Sequence, residues 1–391
     1  MSSLVPLTAP EREHEARVSA LIGRELEAAG DWLPFARYME LALYAPGLGY
    51  YAAGAHKLGA GGDFVTAPEL SAVFGRSLAT QSAEVLGALG GGEILELGAG
   101  SGALAVDLLG ELARLNSLPA RYRILEPSPE LRERQRERLG ALPGAQRERI
   151  EWLEAVPTTP FEGLVLANEV MDALPVERFR RTAQGIAALG VGREQGCFAW
   201  VARPADAALV AEVEALELAR GAPFQAGYES EICPSLGAWV EAVTAPLARG
   251  VALLIDYGLA RSGYYSPERH GGTFACYHRQ LRHEDPFVNV GLQDLTAWVD
   301  FTRVAEAGVA AGLEVAGYTT QANFLLALKF EEHLAALRAE SDPTRAPLLG
   351  RSALRLVLPT EMGESFKCIA LARGYERGLG GFALKDFTAS L

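Results

Sequence analysis

The sequence predicts a doubly wound α/β fold, a mostly parallel sheet of seven strands, with an N-terminal helical extension and a β/α insertion. Three observations predict it. Short apolar strands alternate with helices from residue 93 onward, the rhythm of a parallel sheet covered on both faces. Gly163-Leu164-Val165-Leu166-Ala167 is apolar throughout, as a strand buried on both faces must be. A glycine-rich loop, Gly98-Ala99-Gly100-Ser101-Gly102, joins a strand to a helix.

Each element follows in order. Residues 10–45 read as helical, with Val18, Leu21, Ile22 and Leu26 at helical spacing and Pro34 as a divider. Residues 44–68 are rich in glycine and aromatics and read as an ordered loop, followed by a helix over about 70–89. Strands are expected at 93–97, 121–126, 150–153 and 163–167, with helices at 103–115 and 130–139 between them. The stretch from 175 to 232 breaks the rhythm, with three meander strands and a helix at 205–220, and reads as an insertion. The rhythm resumes with a helix near 235–247 and the strand 251–256; a loop of little periodicity covers 257–286. A helix near 294–312, a strand at 313–318, helices between 322 and 358 and a final antiparallel strand at 366–372 close the sheet. The division is thus 1–90 for the helical extension and cleft loop, and 91–391 for the α/β domain, with its insertion at about 175–232 and a second cleft loop at about 257–286.

Composition narrows the function classes. Of 391 residues, 49% are hydrophobic and 22% charged, which is ordinary for a folded chain with a sizeable core. The net charge of −13 argues against broad nucleic-acid binding, which needs a basic surface. The four cysteines show no C-x-x-C spacing, so neither a zinc site nor a redox pair is suggested, and they read as reduced thiols of a cytoplasmic protein. The N-terminus carries Glu11, Glu13 and Glu15 and resembles neither a secretory signal nor a transit peptide. No apolar run reaches membrane-spanning length.

The glycine loop points to a cofactor. Glycine there allows a tight turn and close approach of backbone to ligand at a helix N-terminus. The letters G-A-G-S-G-A also satisfy the dinucleotide pattern, so a nicotinamide or flavin competes with S-adenosyl-L-methionine at this point. Glu126 ends the next strand, where a carboxylate can accept ribose hydroxyls of either cofactor. Glu96, two residues before Gly98, favours the sulfonium cofactor: it can meet a cationic amino-acid end, whereas a pyrophosphate would be repelled. The expected cofactor contacts are therefore Glu96, Gly98, Gly100, Gly102 and Glu126.

A second polar cluster follows the 163–167 strand: Asn168, Glu169 and Asp172, at the carboxyl end where open α/β sheets place their chemistry. Methyl transfer is an in-line displacement, so alignment is the main task. A guanidinium acceptor has a pKa above about 12 and is not simply deprotonated. Carboxylates can hold its charge and leave one nitrogen nucleophilic, and Glu169 and Asp172 suit that role. The competing reading makes Asn168 and Asp172 caps of a following helix.

With both motifs in view, the chain resembles the MidA-like class I methyltransferases, a family that includes a mitochondrial complex I assembly factor acting on a protein arginine. The resemblance is carried by residues 43–51, by Gly62-Asp63-Phe64-Val65-Thr66-Ala67-Pro68-Glu69-Leu70-Ser71, by the glycine loop, by Asn168-Glu169-Val170-Met171-Asp172-Ala173-Leu174-Pro175-Val176, by Ile255-Asp256-Tyr257-Gly258 and by residues 272–277 and 294–302. It implies a class I, Rossmann-like sheet, S-adenosyl-L-methionine as cofactor and a protein arginine as acceptor. It adds Thr66 and Pro68 to the cofactor site and turns Asn168 and Glu169 toward the cofactor or acceptor. It also implies that the early loop and residues 257–286 wall the cleft. One departure stands out: Ala67 occupies a position where the family usually has serine. Two alternatives remain at this point, a dinucleotide-dependent oxidoreductase and a non-catalytic respiratory-complex assembly factor that keeps the cofactor fold.

Other residues have plainer readings. Tyr50 and Tyr51 either line the acceptor channel or pack. His56, His270, His278 and His283 form no standard metal motif and are expected at the surface or cleft rim. The arginines from Arg132 to Arg138 alternate with glutamates and read as a solvated helix face.

Overall fold

The structure, a computed structural model, describes residues 5–53 and 66–391. Gly62, Asp63, Phe64, Val65 and His56, singled out above, lie outside the described residues. Among the described residues fifteen strands follow one another: β1 Glu93–Leu97, β2 Tyr122–Leu125, β3 Ile150–Leu153, β4 Phe161–Asn168, β5 Glu177–Thr182, β6 Gly185–Glu194, β7 Cys197–Pro204, β8 Glu229–Ile232, β9 Leu247–Leu259, β10 Ala275–His278, β11 Leu281–His283, β12 Asp294–Thr296, β13 Val299–Asp300, β14 Glu314–Thr320 and β15 Phe366–Arg373.

The central sheet has the order β14-β15-β9-β4-β1-β2-β3, and the short β13 also pairs with β9. Neighbours from β3 through β9 run parallel, while β15 runs antiparallel to both β9 and β14. The chain steps outward from β1 to β3, then crosses to the other side of β1 with β4. That reversal opens a crevice at the carboxyl ends of β1 and β4, where ligands of doubly wound sheets bind. The expected final strand is antiparallel, but it inserts between β9 and β14 instead of closing the edge.

Alternating side chains divide the core between the two faces. On β1, Ile94 packs with Phe74, Leu108 and Tyr122 on one face, and Leu95 packs with Val165, Val240 and Phe301 on the other. A third cluster joins the N-terminal helices, Ala9–Ala28 and Phe35–Tyr44, to β6 and to the sheet β11-β10-β12. The insertion forms its own sheet, β7-β6-β5-β8, with the helix Ala207–Arg220 packed on it. Strand β8 was not apparent from the sequence, because its four residues Glu229–Ile232 are half charged yet largely buried.

Three expectations about boundaries need correction. The helix expected over 70–89 breaks at Ser71, leaving Ala67–Leu70 and Ala72–Leu89, and Ser71 Oγ accepts the Val73 N–H at 3.3 Å as the second helix's N-cap. The helix expected near 294–312 starts only at Phe301, where Asp300 Oδ1 accepts the Arg303 N–H at 3.2 Å; β12 and β13 occupy the preceding residues. Residues 257–286 are not a plain loop: they hold the end of β9 and the β10–β11 hairpin. Strands this short carry too few residues for period-2 alternation to register.

Candidate functional site

The site is built at the carboxyl edge, from the ends of β1, β2, β4 and β9. At the end of β1, the Gly98 N–H continues the ladder to the Leu125 carbonyl at 2.9 Å, and the chain then turns away. Gly98, Gly100 and Gly102 take φ of +61°, +54° and +81°, a region costly for residues with a Cβ. A Cβ on Gly98 would stand 3.1 Å from Val170 Cγ2, so the loop lies directly against the turn after β4.

Two carboxylates back this loop. Glu96 is buried and accepts the Tyr122 hydroxyl at 2.8 Å. Burial pushes it up to about 7, with Glu126 adding to the rise. Glu126 Oε1 accepts the Ser128 N–H at 3.0 Å and Oε2 the Gln135 amide at 3.1 Å. Burial also raises Glu126, against these donors. The same Gln135 amide donates to the Gly100 carbonyl at 2.9 Å, and the Trp152 N–H donates to Gln135 Oε1 at 3.0 Å. Gln135 therefore fixes loop and carboxylate together. It is fully buried although its helix, Pro129–Gly140, read as a solvated face. Arg138 is exposed, as that reading expects, but its guanidinium also pairs with Glu69 at 2.8 Å and bonds Ser101 Oγ, which in turn donates to Glu69.

The turn after β4 has a different construction. Glu169 takes φ +54°, rare for a residue with a side chain. Its N–H donates to the Ile255 carbonyl at 2.9 Å, and its Oε1 accepts the Ala67 N–H at 3.1 Å and the Asn168 amide at 3.0 Å. Asp172 accepts the Tyr257 hydroxyl on Oδ2. Neither Asn168 nor Asp172 caps a helix, because none follows; the chain runs through a turn into β5. The group that gathers this turn's N–H donors is Asp256, in β9. Its Oδ2 accepts three successive N–H groups, from Val170 at 3.2 Å, Met171 at 2.9 Å and Asp172 at 3.2 Å, and its Oδ1 accepts that of Tyr257 at 2.9 Å.

Glu169, Asp172 and Asp256 thus crowd one small volume. Burial, with the charge of Asp172 beside it, pushes Glu169 up to about 7; burial pushes Asp172 up to about 6; burial, then Asp172 and Glu169, drive Asp256 upward. Among the described residues no cation offsets any of the three.

Thr66 and Pro68 lie where the chain approaches both halves. Thr66 precedes the turn of helix Ala67–Leu70, with Pro68 in its first turn; Ala67 reaches Glu169 and Glu69 reaches Ser101. Tyr50 is buried and packs edge-on against Tyr51, whose hydroxyl donates to Asp294 at 2.9 Å. His278 is buried against Asn289, not at a rim, whereas His270 is exposed.

The glycine loop, the two carboxylates behind it and the crevice at the sheet's carboxyl edge suit an adenosyl cofactor, and comparison with known proteins decides which. A family described as S-adenosyl-L-methionine-dependent methyltransferases matches residues 77–319. The chain belongs to this family. The methyltransferase is 42% identical, over the whole of both chains and at a TM-score of 0.93, to a Burkholderia thailandensis protein described as a methyl transferase and solved with S-adenosyl-homocysteine bound. It is also 30% identical to the protein arginine methyltransferase NDUFAF7 of Danio rerio, over 85% of this chain and 81% of that one. For the Homo sapiens protein of the same name the identity is 28%, over 86% and 79%. S-adenosyl-L-methionine is the cofactor, and the dinucleotide alternative falls away. The expected cytoplasmic location is overturned, because these named relatives are mitochondrial proteins. Among the described residues no helix is long and apolar enough to cross a membrane.

Sequence reasoning missed Asp256, Tyr257, Gln135 and Glu69 as parts of this edge. Asp256, Tyr257 and Glu69 stood inside segments that carried the family resemblance, yet nothing in their spacing tied them to partners 32 to 86 residues away.

Proposed function

We propose that this methyltransferase acts on an arginine nitrogen of a protein, with Glu169 and Asp172 holding the guanidinium beside the cofactor. The observation that carries this is a group of three carboxylates, Asp172 and Asp256 buried and Glu169 partly so, without a cation among the described residues. A buried negative cluster is costly unless a positive group enters it. A guanidinium entering there would lower all three carboxylates and be held by charge-assisted hydrogen bonds. The named relatives from zebrafish and human, protein arginine methyltransferases, support the same acceptor.

In this reading Gly98, Gly100 and Gly102 cradle the cofactor, Glu126 accepts its ribose hydroxyls, Glu96 meets its cationic amino-acid end, and Thr66, Pro68 and Asn168 line it. When bound, S-adenosyl-L-methionine supplies an electrophilic methyl on sulfur. Glu169 and Asp172 keep positive charge on the guanidinium nitrogens that do not react, and the third nitrogen faces the methyl. As the new N–C bond forms and the C–S bond breaks, the reacting nitrogen becomes more acidic. The proton that leaves it passes to Glu169, which is ionised while it holds the guanidinium.

The test is transfer of tritiated methyl from S-adenosyl-L-methionine into proteins extracted from cells lacking the enzyme, with the labelled residue identified by mass spectrometry. Glu169→Gln and Asp172→Asn are each expected to lose about 100-fold or more of the rate, as for removal of a charge-stabilising group. Their affinity for S-adenosylhomocysteine should stay within threefold of the parent. Label on lysine or on carboxylates, or variants that transfer at the parent rate, would refute the arginine reading.

A further inference from the structure

The turn 169–172 holds an improbable backbone. Glu169 is left-handed at φ +54°, and a conformation of that kind persists only where its surroundings over-determine it. Three successive N–H groups, of Val170, Met171 and Asp172, then point to one side and converge on a single oxygen. Convergent N–H groups of this sort form a concave anion site, and here the anion is the chain's own Asp256 carboxylate. Asp256 is fully buried, and its backbone neighbour Ile255 supplies the carbonyl that takes the Glu169 N–H. The adjacent Tyr257 hydroxyl holds Asp172. Three consecutive residues of β9 thus hold the turn: Ile255 takes the Glu169 N–H, Asp256 the next three, and Tyr257 the Asp172 carboxylate.

We propose that Asp256 is a positioning residue of the methyl-transfer reaction: by gathering these three N–H groups it sets the turn that aims Glu169 and Asp172 at the acceptor. This rests on the acceptor role given above to that pair. Asp256 does not touch the acceptor itself, because its oxygens are engaged by four backbone donors. Among the described residues, the other titratable groups that face this neighbourhood are Tyr257, Tyr44, Tyr51 and Tyr277, with Asp294 beside the last three. Lys367 stands opposite Asp256 in register, but its ammonium is turned to the Glu364 carbonyl.

Asparagine discriminates here. It retains one acceptor oxygen, for either the three N–H groups or that of Tyr257, and presents an NH2 group to the other. Glutamate keeps the charge and moves it by one methylene. The experiment compares full-length Asp256→Asn and Asp256→Glu with the parent in three measurements: S-adenosylhomocysteine affinity, deuterium exchange of the peptide spanning 168–174, and tritiated-methyl transfer to extract proteins from pH 5 to 9. For Asp256→Asn the expected results are an affinity within threefold of the parent, exchange at 168–174 faster by at least tenfold with the 98–104 segment unchanged, and transfer reduced at least tenfold. Asp256→Glu keeps a carboxyl group with two acceptor oxygens and should recover part of both the exchange protection and the rate, which a merely structural loss of packing would not restore. Unchanged exchange at 168–174 or a parental rate in Asp256→Asn, or a rate in Asp256→Glu no better than in Asp256→Asn, would overturn the proposal. So would parallel loss of cofactor affinity in both variants. Labelling of a residue other than arginine by the parent defeats the acceptor reading alone, because the ratio of variant to parent still judges Asp256.

Discussion

The two halves of the edge are made by opposite methods. The half at β1 and β2 is local: its glycines and both carboxylates fall within residues 96–126, and backbone conformation does most of the work. The half at β4 and β9 is assembled from three distant segments, around 67, 168–172 and 256–257, and side-chain carboxylates do the work. A ligand shared by a whole superfamily can be met by backbone N–H groups and a few glycines. An acceptor that differs between enzymes has to be met by side chains, which are free to change without disturbing the loop.

If that contrast holds, damage to each half should have a separate signature. The largest effect on cofactor affinity is expected from Gly98→Ala. The new Cβ would sit at a backbone angle of φ +61° and 3.1 Å from Val170. Left-handed strain costs about 1–2 kcal/mol for a non-glycine residue, and the displaced loop loses cofactor contacts besides. Affinity for S-adenosylhomocysteine, measured by calorimetry, should fall about 10- to 100-fold while the far-ultraviolet dichroism stays unchanged. Parental affinity would show that the loop does not need glycine and would remove the basis of the comparison.

The same contrast decides what could be read without a structure. The seven central strands were legible because short stretches rich in apolar residues alternate with helical ones, and Glu96, the glycines and Glu126 because their roles depend on short spacings. Asn168, Glu169 and Asp172 were legible as candidates from their place after a buried strand. Their partners were not. Asp256 ends an apolar strand and looks like any strand-end charge; only the pairing of Asn168 with Ile255 in β4 and β9 brings it under the turn. Gln135 was hidden among charged neighbours on a helix whose mean pattern is polar, although that one position is fully buried. Long-range pairing and single buried polar positions leave no periodic trace.

Protons sharpen the comparison next. Glu169 is pushed up to about 7 and Asp172 to about 6, so acceptor binding by ionised carboxylates should strengthen as pH rises through that range. Rate over KM for the extract proteins is expected to increase across pH 6–7 and level off above it. Stability should run the other way. The native state holds a proton on Glu169 where the unfolded chain has released it, between the ordinary glutamate range near 4.5 and about 7. More protons bound by the native state means that stability falls as pH rises through that window. Glu169→Gln removes this liability. At pH 8 it should unfold at higher denaturant than the parent, by about 1 kcal/mol after allowing for partial exposure of the side chain. At pH 4 the two should coincide. A variant less stable than its parent at pH 8 would mean that the carboxylate is held ionised by a partner, and the case for an entering cation would fail.

The smallest effect is expected where the two halves are tied together. The short helix Ala67–Leu70 touches the acceptor turn through the Ala67 N–H and the glycine loop through Glu69, Ser101 and Arg138. The Arg138 side chain is 41% exposed, so its pairing with Glu69 is screened by solvent. Exposed ion pairs of this kind contribute about 0–1 kcal/mol and weaken with salt. Arg138→Ala should therefore lower S-adenosylhomocysteine affinity by only about two- to fivefold at low ionic strength. At about 0.5 M salt, where the screening length is shorter than at physiological ionic strength, most of that difference should vanish. A loss that persists at high salt would show that Arg138 positions the loop by geometry and not by charge. The tie would then belong with the backbone-built half of the edge, and the boundary between the halves would lie at Ala67 and not at Glu69.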